Sequence, residues 1–259
     1  MKVISSLVNK KIRAIVGTER YRSDRRERKM YSFDIGVMPA LIKPFVNAGI
    51  AGGVARPANE AQIQALVKLA TKEHLTIVPR AAATSGYGGV LPRNGALVID
   101  LNSLDQLLSV DTEQLIVRCQ AGAIWEKIDK QLADYGLELA LHPSSYPSST
   151  VGGWLAQGGS GFGSFEYGSF KEIVISTRVV LPDGSIREFT GEELQDVIAD
   201  AEGITGIITE VTFRARKKEA QETRLVSFCD AASIASVLIA ISEAQLPIWS
   251  LTFLNPAAI

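Results

Sequence analysis

Two stretches of this 259-residue chain combine nearly bare backbone with hydroxyl side chains, a combination suited to gripping an anion. They are Pro79–Gly89, PRAAATSGYGG, and Ser148–Gly168, SSTVGGWLAQGGSGFGSFEYG. Thirteen of the 22 glycines fall between Gly86 and Gly168. That concentration needs a reason, because glycine loses more conformational freedom on folding than any other residue. In the first stretch Ala81, Ala82 and Ala83 carry minimal side chains, Thr84 and Ser85 add hydroxyls, and Gly86 permits a positive φ. Such a loop can bring several backbone N–H groups against one anionic group, and a pyrophosphate fits it. Arg80 is its only formal positive charge. Composition alone leaves a tight turn between strands equally open. In the second stretch Thr150, Gly152 and Gly153 repeat the pattern, and WLAQ can begin a short helix whose first N–H groups face a ligand. Gly158, Gly159, Gly161 and Gly163 can run along a flat ring system; a flexible surface loop is the alternative reading.

Other chemistries are poorly served. No GxxxxGK[ST] is present, which disfavours a nucleotide-hydrolysing phosphate loop, and no GxGxxG opens a helix after a strand with an acidic residue about 20 positions on. Cys119 and Cys229 stand 110 positions apart without CxxC or CxxxC spacing. Neither an iron–sulfur cluster nor a structural zinc is therefore expected within this segment. Both read as buried free thiols, which fits a reducing, cytoplasmic compartment. His74, in KEHLTIV, reads as a structural residue at a helix end. No metal site is expected, and no residue is assigned a catalytic role. A net charge of −1 gives no whole-chain attraction to nucleic acid or to an anionic membrane. No apolar run approaches the roughly 18–20 residues of a membrane span, and the N-terminus does not read as a secretory signal.

The elements that must position these loops follow from periodicity. With 46% hydrophobic and 21% charged residues, a packed core is expected. Residues 1–50 read as mainly helical, with Val3, Leu7, Ile12, Ile15 and Val16 as a stripe, followed by the basic run Glu19–Lys29, taken as a solvated face or a docking surface. Pro39 and Pro44 break any long helix beyond it. PANEAQIQALVKLATKEH predicts a helix capped by Asn59, with Gln62 three residues later and Ile63, Leu66, Val67 and Ala70 inward. LTIVP, ALVID at 96–100 and LIVRCQA at 115–121 predict strands. AIWEKIDKQLADYG predicts a helix with Ile124, Ile128 and Leu132 inward and Gly136 as its stop. EIVISTRVVLPDGSIREFT predicts a hairpin turning at Pro182–Gly184. A short helix, EELQDVIADAEG, precedes a strand at 206–216 in which Ile207, Thr209, Val211 and Phe213 alternate. The whole predicts an α+β fold of two lobes, about 51–112 and 113–218. LVSFC, ASIASVLIAISEAQ and IWSLTFL then predict a strand–helix–strand beginning at Leu225. Without a partner strand, it reads as the start of a truncated domain.

At this point the residues resemble a known family. PRAAATSGYGG is similar to the PRGGGTSxxGG pyrophosphate loop of the FAD-linked oxidases, the flavoproteins with a PCMH-type FAD-binding domain. STVGG at 149–153, YGSFKEIV at 167–174 and DAEGITGIITEVTFR at 200–214 resemble that family's later motifs, in order, with PDG at 182–184 between them. The nearer resemblance is to the glycolate oxidase and D-lactate dehydrogenase branch, and the leader ERYRSDRRERKMYSFDIG resembles long proteins that fuse this domain to iron–sulfur modules.

The resemblance implies a two-lobed PCMH-type domain over residues 51–218, preceded by an N-terminal helical segment (1–50) and followed by the start of a cap domain (225–259). Arg80, Ala81, Ala82, Ala83, Thr84, Ser85 and Gly86 would wrap the FAD pyrophosphate. Pro143, Ser144, Ser149, Thr150, Gly152 and Gly153 would line the isoalloxazine and ribityl side, with Gly158, Gly159, Gly161 and Tyr167 completing that wall. Gly203, Ile207 and Ile208 would close over the adenine and ribose. His142, beside Pro143, would have a packing or supporting role.

Alanines replace the family's usual glycines, so the loop is expected to hold φ below zero there. Thr84 stands where covalent members carry histidine, which implies non-covalent FAD. The family's substrate and metal-ligand histidines have no counterpart here, so an incomplete substrate site is expected. The implied activity is oxidation of a small-molecule 2-hydroxy acid, such as lactate or glycolate, by hydride transfer to flavin. Electrons would pass to an iron–sulfur domain or subunit, or to a quinone, at the inner face of a membrane through a partner. The alternatives are a non-catalytic flavin-binding or electron-relay module, an oxidase of a sugar alcohol or aldonolactone, or a flavin enzyme of the alkylglycerone-phosphate type.

Overall fold

A computed structural model describes residues 4–36, 39, 41, 49–93, 95–228, 230–244 and 246–254. Val3, Pro44 and Cys229 lie outside them. The chain opens with helix α1 (Ser6–Val16), a single tight turn, strand β1 (Tyr21–Arg22) and helix α2 (Arg25–Met30). The Ser5 hydroxyl caps α1 by accepting from the Val8 N–H. Its buried stripe is Val8, Ile12 and Val16, with Ile4 buried just before the helix, whereas Leu7 is 63% exposed. The expected stripe is thus rotated at Leu7, because the face that packs on the sheet is set by spacing from Ile12.

Strand β2 (Gly53–Ala55) leads to α3 (Glu60–Lys72), β3 (Ile77–Arg80) and β4 (Leu97–Asp100). The Asn59 side chain caps α3 by accepting from the Gln62 N–H, and Ile63, Leu66, Val67 and Ala70 are buried as the periodicity requires. His74 takes φ +51° just past the helix. There the His74 N–H donates to Thr71 and the Leu75 N–H to Ala70, closing the helix end with a left-handed residue. The first sheet runs β1-β2-β4-β3, with the last three strands parallel and β1 antiparallel to β2. Residues 4–32 therefore fold onto this sheet instead of standing apart from it. The basic run is correspondingly not all solvated: Tyr21 and Arg28 are buried, and Arg28 Nε donates to the Ala51 carbonyl at 2.5 Å.

The second lobe is an antiparallel sheet. It comprises β5 (Leu107–Asp111), β6 (Ile116–Gln120), β7 (Leu137–Leu139), β8 (Val174–Val180), β9 (Ile186–Thr190) and β10 (Ile207–Lys217), in the order β5-β6-β10-β8-β9, with β7 also paired to β10. Helix α4 (Trp125–Leu132) follows β6 and buries Trp125, Ile128 and Leu132. Trp125 is an inward residue beyond those expected, and Ile124 instead occupies the cap. Gly136, at φ +68°, ends this segment. Helices α5 (Val151–Gln157), α6 (Ser164–Tyr167), α7 (Phe170–Ile173) and α8 (Gly191–Glu193) complete the lobe, α8 continuing as a wide turn through Ile198.

The second core centres on Trp125, which meets Phe170 edge-on at 5.0 Å between centroids, while Trp154 stacks on Phe170 at 5.0 Å and 7°. Cys119 is buried in this core as a free thiol, and desolvation pushes its pKa up, as expected for an inert core cysteine.

The lobes are pinned together by α3. Glu60 Oε2 accepts from Arg178 Nε at 2.7 Å and from Thr209 Oγ1 at 2.8 Å, and Val180 and Ile207 join the first lobe's core. Among the described residues beyond Lys217, helix α9 (Ala231–Glu243) is the one regular element; residues 218–228 and 246–254 form no strand. The two strands expected there are absent among the described residues, consistent with the dependence of a strand on a neighbour to pair with.

Ile12→Ala should destabilise the fold by about 2–4 kcal/mol, a buried aliphatic truncation. Leu7→Ala, one turn away on the exposed side, should cost less than about 0.5 kcal/mol. Chemical denaturation of the two variants checks the assigned face.

Candidate functional site: a cleft between the lobes

The hydrogen-bond ladder of the first sheet stops at Arg80. Its carbonyl still accepts from Leu101 N–H at 2.8 Å, but from Ala81 the chain turns away from β4. Among the described residues, none of the backbone N–H groups of Ala81, Ala82, Ala83, Thr84 and Ser85 has a protein acceptor. Buried or half-buried N–H groups are rarely left so. These five residues line a solvent-open cleft between the lobes, the kind of concave surface at which small-molecule and cofactor sites occur.

The opposite wall is built from α5 and the start of β10. Ser149, Thr150, Gly152, Gly153, Trp154, Gly203, Gly206, Ile207 and Ile208 all face the cleft. Thr150 caps α5, its hydroxyl accepting from Gly153 N–H at 3.3 Å. The Val151 N–H donates to Ala123 and the Gly152 N–H to Ala121. The first-turn donors of α5 are therefore used inside the protein, contrary to the expectation that they would face a ligand. Gly152 has a packing role: a Cβ there would collide with the Cβ of Ala121. At the other end of α5 the Leu155 and Ala156 carbonyls accept from Asp200 and Glu202 N–H at 3.1 and 2.7 Å, which holds the loop before β10 against the cleft. The Ser149 hydroxyl, also in the lining, is buried and has no partner.

Of the residues expected at the site, Arg80 to Ser85, Ser149, Thr150, Gly152, Gly153, Gly203, Ile207 and Ile208 come together in this cleft. Gly86, Pro143, Ser144, Gly158, Gly159, Gly161 and Tyr167 stand outside its lining. Gly86 packs against Gly36. The glycine loop is folded back on 142–143 by the paired hydrogen bonds between Phe162 and His142, so it does not run along the cleft. Tyr167 packs against the second core. His142 lies among the rings of Tyr146, Phe162 and Trp249, a packing environment. Leu101, Ala121, Ser145, Gln157 and Glu202 line the cleft without having been expected there. Leu101 and Ala121 reach it only because the lobes meet, which no local spacing signals.

Arg80 is spoken for: Nη1 donates to the Phe33 carbonyl at 2.7 Å and the guanidinium lies 5.2 Å from the Tyr31 ring. Desolvation lowers its pKa, opposed by the nearby Tyr31, Asp100 and Asp34. The anion-gripping capacity of the loop thus resides in its N–H groups more than in a free charge. The alanines behave differently from expectation at one place. Ala83 takes φ +55°, a left-handed conformation that costs an L-residue roughly 1–2 kcal/mol; the turn into Thr84 demands it.

A row of free backbone donors on one wall, an orphaned hydroxyl and an apolar surface of Trp154, Ile207 and Ile208 on the other define a dinucleotide-holding domain, and the donor set fits FAD: N–H groups for the diphosphate, apolar faces for the rings. Residues 51–190 match the family described as "FAD binding domain", and the chain belongs to that family.

Its relatives are consistent with this. The chain is 26% identical to the glycolate oxidase subunit GlcD of Bacillus subtilis over 98% of this chain and 54% of that protein. It is 31% identical to the mitochondrial D-lactate dehydrogenase [cytochrome] 1 of Saccharomyces cerevisiae over 70% of this chain and 33% of that protein. It is also 31% identical to the alkyldihydroxyacetonephosphate synthase of Trypanosoma brucei brucei over 62% of this chain and 28% of that protein. A solved alkyldihydroxyacetonephosphate synthase shares the fold with a TM-score of 0.80 at 24% identity, over 93% of this chain and 50% of that one. The chain spans between about a quarter and a half of the length of these relatives. No described helix is long and apolar enough to cross a membrane.

Ala83→Gly should raise stability by about 1 kcal/mol by relieving the left-handed alanine, whereas Gly152→Ala should lower it by about 1–3 kcal/mol through overpacking against Ala121. Thermal melting of both variants checks the signs.

Proposed function

We propose that this chain is the FAD-holding part of a flavin-dependent oxidoreductase that oxidises a 2-hydroxy acid such as lactate or glycolate. The observation that carries the reading is the run of five unpaired N–H groups from Ala81 to Ser85 on one wall of the cleft. These N–H groups would hold the FAD diphosphate, with Thr84 and the Ser149 hydroxyl as further hydrogen-bonding groups. Trp154, Ile207 and Ile208 would exclude water from the apolar parts of the cofactor. Glu202, which faces Gly89 across the cleft, would accept from a ribose hydroxyl. Thr84 on the loop offers no side chain that could attach a flavin covalently, in keeping with non-covalent FAD. Bound FAD supplies two-electron redox chemistry, while the protein supplies position and surroundings.

The substrate class rests on the named relatives, the glycolate oxidase subunit and the D-lactate dehydrogenases. In this reading electrons leave to an iron–sulfur or quinone acceptor contributed by a partner. The likeness to an alkyldihydroxyacetonephosphate synthase favours a second reading, a flavoprotein that forms an alkyldihydroxyacetone phosphate.

Titration of the cofactor-free chain should show one FAD bound per chain. Riboflavin, which lacks the diphosphate, should bind at least about 100-fold more weakly, since two charge-assisted hydrogen bonds at 1.5–3 kcal/mol each already supply that factor. Equal affinity for the two would reject the diphosphate loop. Dye reduction by the full-length protein with D-lactate or glycolate supports the first reading, whereas formation of an alkyldihydroxyacetone phosphate with no dye reduction by either acid supports the second.

A further inference from the structure

The segment Tyr31–Gly36, YSFDIG, lies outside the part of the chain that matches the family, which begins at residue 51, yet it grips the diphosphate loop at several points. The Asp34 carboxylate accepts from Gly88 N–H through Oδ2 and from Gly36 N–H through Oδ1, both at 2.9 Å. The Phe33 carbonyl accepts from Arg80, and the Tyr31 ring carries the Arg80 guanidinium on its face. Gly36 packs so closely on Gly86 that a Cβ at position 36 would run into the Gly86 carbonyl. Tyr31 is in turn anchored through its hydroxyl to the buried Asp100 at the end of β4.

We propose that YSFDIG is a clasp that sets the shape of the FAD diphosphate loop, and that Asp34 is its positioning residue. The proposal rests on the diphosphate reading above. The loop needs such a device for two reasons. Its first five N–H groups make no bond inside the protein, so nothing in their own hydrogen bonding fixes their direction. It also contains a left-handed alanine, Ala83, and a left-handed glycine, Gly88 at φ +87°, conformations that surrounding structure must enforce.

Asp34 ties down the far end of the loop at Gly88, Arg80 ties down the near end to Phe33, and both ties meet in one six-residue segment. A carboxylate beside a diphosphate would by itself repel it. Here both carboxylate oxygens already accept backbone N–H groups, and Asp34 shares its surroundings with the Arg80 cation, so its charge is compensated locally. What it contributes to binding is loop geometry prepared before the cofactor arrives, which lowers the ordering cost of association.

The test uses the cofactor-free chain, with FAD and riboflavin as probes. Asp34→Ala should weaken FAD by about tenfold, the worth of one charge-assisted hydrogen bond to the loop. Riboflavin affinity and the melting temperature without cofactor should stay at wild-type values. Amide exchange in the peptide spanning Gly86–Gly89 should rise. Asp34→Asn, whose one amide oxygen can accept where the amide nitrogen cannot, should recover part of the FAD affinity.

Should Asp34→Ala fail to fold, Gly36→Ala supplies the second test: its Cβ should displace Gly86 and weaken FAD, leaving riboflavin unchanged. FAD affinity within twofold of wild type in the folded variant overturns the clasp. A wild-type chain that binds riboflavin as tightly as FAD overturns the diphosphate reading instead, so the two failures are told apart.

Discussion

Everything in this molecule turns on where one hydrogen-bond ladder ends. Strand β3 pairs with β4 as far as Arg80, and the next five residues leave the sheet with their N–H groups unmatched. An amide donor that has left a ladder must find another acceptor, or the fold loses about 1–3 kcal/mol for each one that is desolvated. At this loop the donors are left facing the cleft, and the remainder of the structure holds them in place. Asn102 Nδ2 donates to the Ala81 carbonyl at 3.3 Å, the N-terminal segment secures Arg80 and Gly88, and the side chain of Glu202 packs on Gly89 from the other lobe.

The facing wall is rigid for the complementary reason. Helix α5 is only seven residues long, so much of its backbone consists of end groups that a helix cannot pair by itself. The protein satisfies them from outside: Ala121 and Ala123 carbonyls at the start, Asp200 and Glu202 N–H groups at the finish. One side of α5 presents Trp154 to the cleft, and the same indole stacks on Phe170 in the second core. Cleft wall and core are thus one packed unit.

Legibility in the sequence followed the range of the forces involved. Features decided by a few neighbours along the chain could be read directly. The Asn59 cap, the α3 face, the hairpin at Pro182–Gly184 and the alternation through Ile207–Phe213 are all of this kind. The Arg80–Ser85 loop and the Ser149–Gly153 turn were legible as loops because small side chains, hydroxyls and glycines follow one another there, and the structure brings both to one cleft. Long-range geometry was hidden. Nothing local says that Gly152 serves Ala121 or that Leu101 meets the second lobe. Nor does local spacing say that Gly158–Gly163 folds onto His142 and not along the cleft. The sign of φ at Ala83 was misjudged because side-chain sterics were weighed without the turn that overrides them.

The position of β10 has a consequence for how the chain is made. It pairs with β6, β7 and β8, so the strand at the centre of the second sheet is the last of that sheet to emerge from the ribosome. Until Ile207–Lys217 is synthesised, β6 and β8 each present an unpaired edge and Trp125 and Phe170 lack their Phe213 neighbour. Open edges of this sort invite pairing with other chains, and contacts that must wait for distant sequence slow folding. The nascent chain therefore passes through an interval in which both cores still lack residues of β10 and the second lobe's hydrophobic strands are open to aggregation.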